Sequence, residues 1–300
     1  MGLMKEMIKE IGNKSREFYE FVLPAIDMHL TDENLKVVNI PDLGKDAFSK
    51  KFAITLGIKA AKNENLVFTD ADCYTVSNKW LLNISVSSNN TNMISLGAGP
   101  YKKDVGVLNA LIRFDAAFIA TQYLSMAKAR IPYMGVGRNL SYKKTIYNEI
   151  QGFKSHYHIP SGDDDLFVNQ VANSNNTQVI FCTESLTYSI AEKTFKSWIN
   201  QKLRHLKTSS LYNVKTIFFV ALYPISLFGF YISFLTNLLL SNDLIFILIL
   251  LTLRILFQII IFFKPLKIMG SKELIIFTPL LEIILLLIYP FLHIKKIQKP

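Results

Sequence analysis

Hydrophobic and polar positions alternate in a mixed way along most of the chain, and then the pattern changes once. Up to about residue 210 charges recur every few positions; from Ile217 onward Ile, Leu and Phe dominate. Within the polar part, the β-branched run LKVVNI (Leu35–Ile40) predicts a strand. SKKFAITLGIKAAK (Ser49–Lys62) carries apolar residues at helical spacing, with Ser49 as cap. NLVFT (Asn65–Thr69) predicts a buried strand that runs into Asp70-Ala71-Asp72. Helical patterns follow at Asn78–Asn89, Gly106–Ala129 and Thr194–Lys207, and strand patterns at Met93–Gly99 and Gln178–Cys182. Met1–Glu20 mixes Lys and Glu with apolar residues as an amphipathic helix would. Helix, strand, then acidic loop is the layout of an α/β sheet with its ligand site beyond a strand's C-terminal end.

The apolar part contains three runs long enough to span a bilayer: about 217–240, 244–263 and 274–292. The first has 24 residues without a charge, the second holds Arg254 and the third Glu282. Charges are costly in lipid, so these two are expected to face the bundle or each other. The predicted division is a domain over 1–210 and transmembrane helices within 211–300.

Charge and cysteines narrow the class. The formal net charge of +10 is concentrated near the break and in the tail, where basic residues flank membrane helices and meet anionic lipid; a nucleic-acid partner is not expected. Lys202, Arg204, Lys207 and Lys215 precede the first run and favour a cytoplasmic catalytic domain on a multi-pass membrane protein, while Lys295, Lys296 and Lys299 leave the last run open as a third crossing or as a re-entrant or interfacial segment. Cys73 and Cys182 form neither a disulfide framework nor a metal-site spacing.

Four features can carry chemistry. Asp70 and Asp72, two apart after a strand, would point to one side of an extended backbone and could bind a divalent ion with its diphosphate; a solvated turn is the alternative. Asp163, Asp164 and Asp165 open a helix, where capping explains one of them. Mutual repulsion can raise the pKa of one member and suit it to take a proton from a sugar hydroxyl. Gly135, Gly137 and Arg138 form a loop that either approaches a ligand closely or simply turns. Gln201 and Arg204, on one helix face, could hold phosphate or touch lipid head groups.

The order of these features resembles the membrane-bound family 2 glycosyltransferases. KKFAITLGIKAAKNENLVFTDADC (Lys50–Cys73) looks like that family's Lys-containing helix, strand and metal-binding loop. YMGVGRNLSYKK (Tyr133–Lys144) resembles its acceptor-side loop, SGDDDLFVNQVA (Ser161–Ala172) its Glu-Asp base motif, and QKLRH (Gln201–His205) its Q-x-x-R-W, with His205 for Trp. The resemblance implies an α/β, GT-A-like (Rossmann-like) nucleotide-sugar transferase domain followed by a C-terminal transmembrane helix bundle. It implies a divalent metal (Mg or Mn) on Asp72, and donor contacts from Asp70, Lys51, Gln201 and Arg204. Acceptor contacts would come from Gly135, Gly137 and Arg138, and the base would be Asp163, with Asp164 open as its neighbour. The reaction implied is inverting transfer from a nucleotide-sugar donor to a lipid-linked or saccharide acceptor, and His205 favours transfer of single sugars. Only 34 residues precede Leu35, and they lack the strand and Asn-x-Glu-like motif with which relatives begin. The nucleotide-binding half is therefore expected to be incomplete, with an inactive homologue acting as a membrane scaffold as the alternative.

Overall fold

A computed structural model describes residues 50–85, 93–159, 161–240 and 243–297. The strand expected at Leu35–Ile40 and the helix at Met1–Glu20 lie outside the described residues, as do Ser49 and residues 86–92. Helix α1 (Lys50–Ala60) leads into β1 (Asn65–Phe68), which is followed by β2 (Cys73–Thr75) and the short α2 (Trp80–Ile84). After β3 (Ile94–Leu96) comes the long α3 (Val107–Lys128), and then β4 (Leu140–Lys143), α4 (Lys144–Glu149), α5 (Asp165–Val171), β5 (Thr177–Val179) and β6 (Thr187–Ser189). Helix α6 (Phe195–Ser209) ends the polar part.

The main sheet has four strands in the order β1-β4-β3-β5. It is mixed: β4 runs antiparallel to both β1 and β3, and β5 runs parallel to β3. Ile94 and Leu96 of the inner strand β3 are fully buried, as expected for a short apolar run covered on both faces. One face is covered by α3, whose Phe114, Ala117, Ala120, Tyr123 and Leu124 recur at helical spacing and are buried. On the sheet, Tyr142 of β4 stacks on Phe68 of β1 (ring centroids 4.4 Å) and packs against Phe167 of α5 (4.5 Å). This aromatic stack sets the distance between the strand that leads to Asp70 and the helix that follows Asp163–Asp165. A second, two-stranded sheet pairs β2 with β6, with Cys73 opposite Ser189.

Three described helices are long and apolar enough to cross a membrane: α7 (Val214–Leu240), α8 (Leu244–Ile268) and α9 (Thr278–Ile297). A 3-10 turn, Lys272–Phe277, precedes α9, so the third apolar run starts as a 3-10 turn and the α-helix extends beyond its predicted end. Most large apolar side chains of α7 and α8 are exposed, which suits a surface solvated by lipid. Helix α8 ends at Gly270, where φ is +66° and the Ser271 N–H donates to the Leu266 carbonyl at 2.7 Å; this left-handed stop favours glycine. The turn brings Glu273 to Arg113 of α3 (2.8 Å), while Arg113 also donates to the Gly270 carbonyl (3.0 Å) and Ser271 Oγ (2.8 Å). Further along, Asp115 of α3 forms an ion pair with Lys202 of α6 and accepts from Tyr289 of α9 at 2.6 Å. The apolar helices are thus tied to the sheet domain by buried polar contacts as well as by packing.

Arg254 and Glu282 do meet: Arg254 Nη2 lies 2.5 Å from Glu282 Oε2. Tyr223 of α7 donates to the other carboxylate oxygen, and Gln258 accepts from Arg254 at 3.2 Å. Removing one partner leaves an uncompensated charge in a buried setting, which costs about 3–5 kcal/mol. Arg254→Met and Glu282→Met are each expected to lower the melting temperature of the detergent-solubilised chain. The double variant should be more stable than the sum of the two losses implies; strict additivity in a double-mutant cycle would show that the pair carries no coupling.

Candidate active site

Asp70 lies two residues beyond the end of β1. The Cys73 N–H donates to the Asp70 carbonyl at 3.0 Å, so Asp70–Cys73 is a turn. The two carboxylates are therefore presented by a turn, and not by the strand alternation that the sequence suggested. Asp72 is exposed and Asp70 half-buried. Cys73 has its thiol 3.7 Å from Asp72 Oδ1. Burial, and then the charge of Asp72, push that thiol up to about 12, so it stays protonated.

Across the cleft, Lys50 at the start of α1 bridges the two acidic elements. Its Nζ lies 2.8 Å from Asp70 Oδ1 and 2.9 Å from Asp163 Oδ2. Burial lowers the pKa of this ammonium, but Asp163, Asp70 and Asp164 together outweigh burial and raise it. Lys51, the lysine expected at the donor, is fully buried and points elsewhere. Its Nζ donates to the carbonyls of His156 (2.6 Å) and Ile159 (2.9 Å), and so anchors the segment that precedes the acidic triplet. The structure thus brings Lys50 to the site and keeps Lys51 out of it.

The three aspartates have separate surroundings. Gly162 enters them with φ +93°, and a Cβ there would lie 2.5 Å from Leu166, so this entry needs glycine. Asp163 is buried and faces Lys50. Asp164 caps α5: Oδ1 accepts from the Asp165 N–H at 2.7 Å, and Oδ2 accepts from the Gly137 N–H at 2.6 Å. Burial, and then the charges of Asp165 and Asp163, raise the Asp164 carboxyl to about 7. Asp165 accepts from its neighbour Leu166 N–H (2.8 Å), from Thr208 Oγ1 (2.5 Å) and from Tyr212 OH (2.8 Å). These bonds hold it to the end of α6 and the chain beyond; burial leads in raising its pKa.

The glycine loop divides in two. Gly135 is packed inside: a Cβ there would meet Leu96, Leu140 and Val168 at 3.1–3.3 Å. Gly137 faces the site, and a Cβ there would lie 3.3 Å from Asp164 Oδ2 and 3.4 Å from Lys50 Nζ. The Arg138 guanidinium lies 4.5 Å from the centre of the Tyr101 ring and donates to Ser189 Oγ at 2.8 Å. The Tyr101 hydroxyl donates to Gln201 Oε1 at 3.4 Å, so Arg138, Tyr101 and Gln201 form one cluster. Arg204 is exposed, one turn further along α6. Sequence reasoning missed Lys50, Tyr101 and Asn139. Asn139 is fully buried and donates to the carbonyls of Ala98 and Ser185, both at 2.7 Å, while accepting from Trp80 Nε1 at 3.1 Å. It fixes the backbone beside Arg138.

Among the described residues no three His, Cys, Asp or Glu side chains form a metal-holding group. Mg characteristically takes one or two carboxylates and completes its shell with water and substrate phosphate. Asp70 and Asp72 supply such oxygens at an open turn, so the residues present fit a divalent ion that arrives with a diphosphate.

Asp164 also makes a stability prediction. Its folded pKa of about 7 exceeds the ordinary value near 4. The folded state therefore binds the proton more tightly, and this stabilisation is complete at low pH and lost as pH rises from about 4 to about 7. Melting curves of wild type and Asp164→Asn from about pH 5 to 8 should diverge, with wild type losing more stability on the alkaline side. Parallel profiles would refute a raised pKa.

Comparison with curated proteins gives no significant match. Residues 67–291 match the family described as glycosyl transferase family group 2. That span runs from β1 through the acidic turn, the glycine loop, the aspartate triplet and α6 into α9, and on it the chain belongs to the family 2 glycosyltransferases.

Proposed function

We propose that this chain is an inverting glycosyltransferase that moves a single sugar from a nucleotide-diphosphate donor to an acceptor hydroxyl. The observation that carries this reading is Lys50, whose ammonium holds Asp70 and Asp163 together. An acidic turn suited to a metal-bound diphosphate and a buried carboxylate suited to proton transfer thereby share one cleft. The proposed arrangement is GT-A-like over residues 1–210, with membrane-spanning helices in 211–300 and a multi-pass topology. Lys202, Arg204 and Lys207 of α6 and Lys215 in the first turn of α7 support a cytoplasmic catalytic side.

Asp70 and Asp72 would hold a Mg or Mn ion, which when bound supplies positive charge to the departing diphosphate. Lys50, next to Asp70, adds a second positive charge at the same place. Gln201 and Arg204 of α6 would contact the donor diphosphate. Asp163 accepts the proton of the attacking hydroxyl; it is the member of the triplet whose carboxylate faces Asp70 through Lys50. Asp164 is the positioning residue, because its two oxygens hold the Gly137 and Asp165 amides and thereby the loop that carries Arg138. Gly135, Gly137 and Arg138 form the acceptor side.

The test uses the full chain in detergent with a panel of UDP- and GDP-sugars and Mg or Mn. Asp163→Asn should lower kcat by about a hundred- to ten-thousand-fold while nucleotide binding persists. Asp72→Ala should weaken metal-dependent nucleotide binding itself. Full turnover in Asp163→Asn would remove that residue from the role of base.

A further inference from the structure

A cavity of about 660 Å³ lies between the candidate active site and the apolar helices, within the size range of cavities that enclose small ligands. One end is formed by Gly99, Tyr101, Arg138 and Gln201, next to the loop that binds Asp164. The other end lies among Ile217, Val220 and Leu227 of α7 and Leu285 and Leu286 of α9. The same helices carry the exposed apolar surface that is long enough to cross a bilayer. The cavity therefore grades from the polar groups of the cleft to a mainly apolar wall of α7 and α9, in which Tyr223 and Glu282 are bonded to each other.

Several polar side chains that line it already have partners. Tyr223 and Arg254 hold Glu282, Tyr289 and Lys202 hold Asp115, and Tyr212 holds Asp165. A saccharide chain entering here would give up water at many hydroxyls and find these groups taken, which is unfavourable for each unpaired polar group. A hydrocarbon chain loses nothing polar and gains from leaving water. At the reacting end the polar groups belong to the cleft itself. Gln201 and Arg138 are polar, and Arg138 follows Gly137, whose N–H binds Asp164.

We infer that this cavity holds the hydrocarbon part of a membrane lipid whose polar head presents the acceptor hydroxyl to the aspartate triplet. The inference rests on the transferase reading above and selects lipid over saccharide as the acceptor class. Small side chains keep the route open: Ala116 and Ala120 of α3 and Ala221 of α7 all line it.

The test places the full chain in phosphatidylcholine nanodiscs with a diazirine-bearing hexadecanol and maps the photo-crosslinks by mass spectrometry. Cross-links at Leu227 and Leu285 are expected to exceed those on the exposed α8 positions Ile245 and Ile260 several-fold. Ala221→Trp, which fills the cavity, should reduce the Leu285 cross-link several-fold. Ile260→Trp, on the exposed surface, should leave it unchanged. Labelling of the cavity no greater than that of the α8 surface would overturn the inference. So would protection of the cavity by a soluble oligosaccharide such as cellotetraose. Nucleotide-sugar binding, measured by calorimetry on the same nanodiscs, separates the two readings. Its absence beside strong cavity labelling would overturn the donor reading while the lipid site stands, and its presence beside unselective labelling would overturn the lipid site alone.

Discussion

Four carboxylates have to coexist at one edge of this fold: Asp70 on its turn, and Asp163, Asp164 and Asp165 in succession. Like charges at such spacing repel strongly where water is scarce. They are therefore given counterparts from different parts of the chain. Lys50 from α1 serves Asp70 and Asp163. The Gly137 amide of the glycine loop serves Asp164, and Thr208 and Tyr212 near the end of α6 serve Asp165. The cleft is consequently a point of closure for the molecule. A helix, a loop and the approach to the apolar region are tied together by the need to neutralise one short acidic sequence.

A second polar constraint sets how the apolar helices sit on the sheet domain. Arg113 and Asp115 of α3 reach opposite ends of the last apolar segment, through Glu273 and Tyr289. Polar contacts of this kind add little net stability, since desolvation offsets most of the attraction. They are effective at fixing register, because any slip strands a charge. Helix α9 is thereby held along α3 while Lys202 ties α6 to the same Asp115. Apolar packing alone would allow sliding; the polar contacts choose one arrangement, and with it the walls of the cavity.

Local pattern made much of this legible. The strand before Asp70, the helices α1, α3 and α6, and the apolar helices follow from periodicity and length. The Arg254–Glu282 contact follows from the cost of a charge in lipid. Two kinds of feature were not legible. Adjacent lysines lie on different sides of a helix, and only the packing of α1 decides that Lys50 faces the cleft and Lys51 the interior. Likewise the acidic triplet reads as one cluster, although a bond to Gly137 and another to Tyr212 separate its members into distinct roles. The short strand β4 was hidden in LSYK, whose Ser141 and Lys143 dilute its pattern; it forms because β1 and β3 both pair with it. Each miss depends on a partner far away in sequence.

Helix α6 joins these threads. Gln201 meets Tyr101 at the cleft, Lys202 meets Asp115 beneath it, and Thr208 caps Asp165. Its Trp198, Ile199, Leu203 and Leu206 bury the remaining face. Three polar contacts on one rigid helix, with α7 beginning five residues after it ends, leave little freedom between the cleft and the first apolar helix. On the proposed function, a cleft mounted in this way on helices long and apolar enough to cross a membrane would keep a fixed height relative to a bilayer. A water-soluble acceptor has no use for that constraint, because it can approach a cleft at any height. An acceptor confined to a bilayer would need it, since its reacting oxygen would reach only one level, and the bond from Thr208 of α6 to Asp165 ties the triplet to the segment that leads into α7.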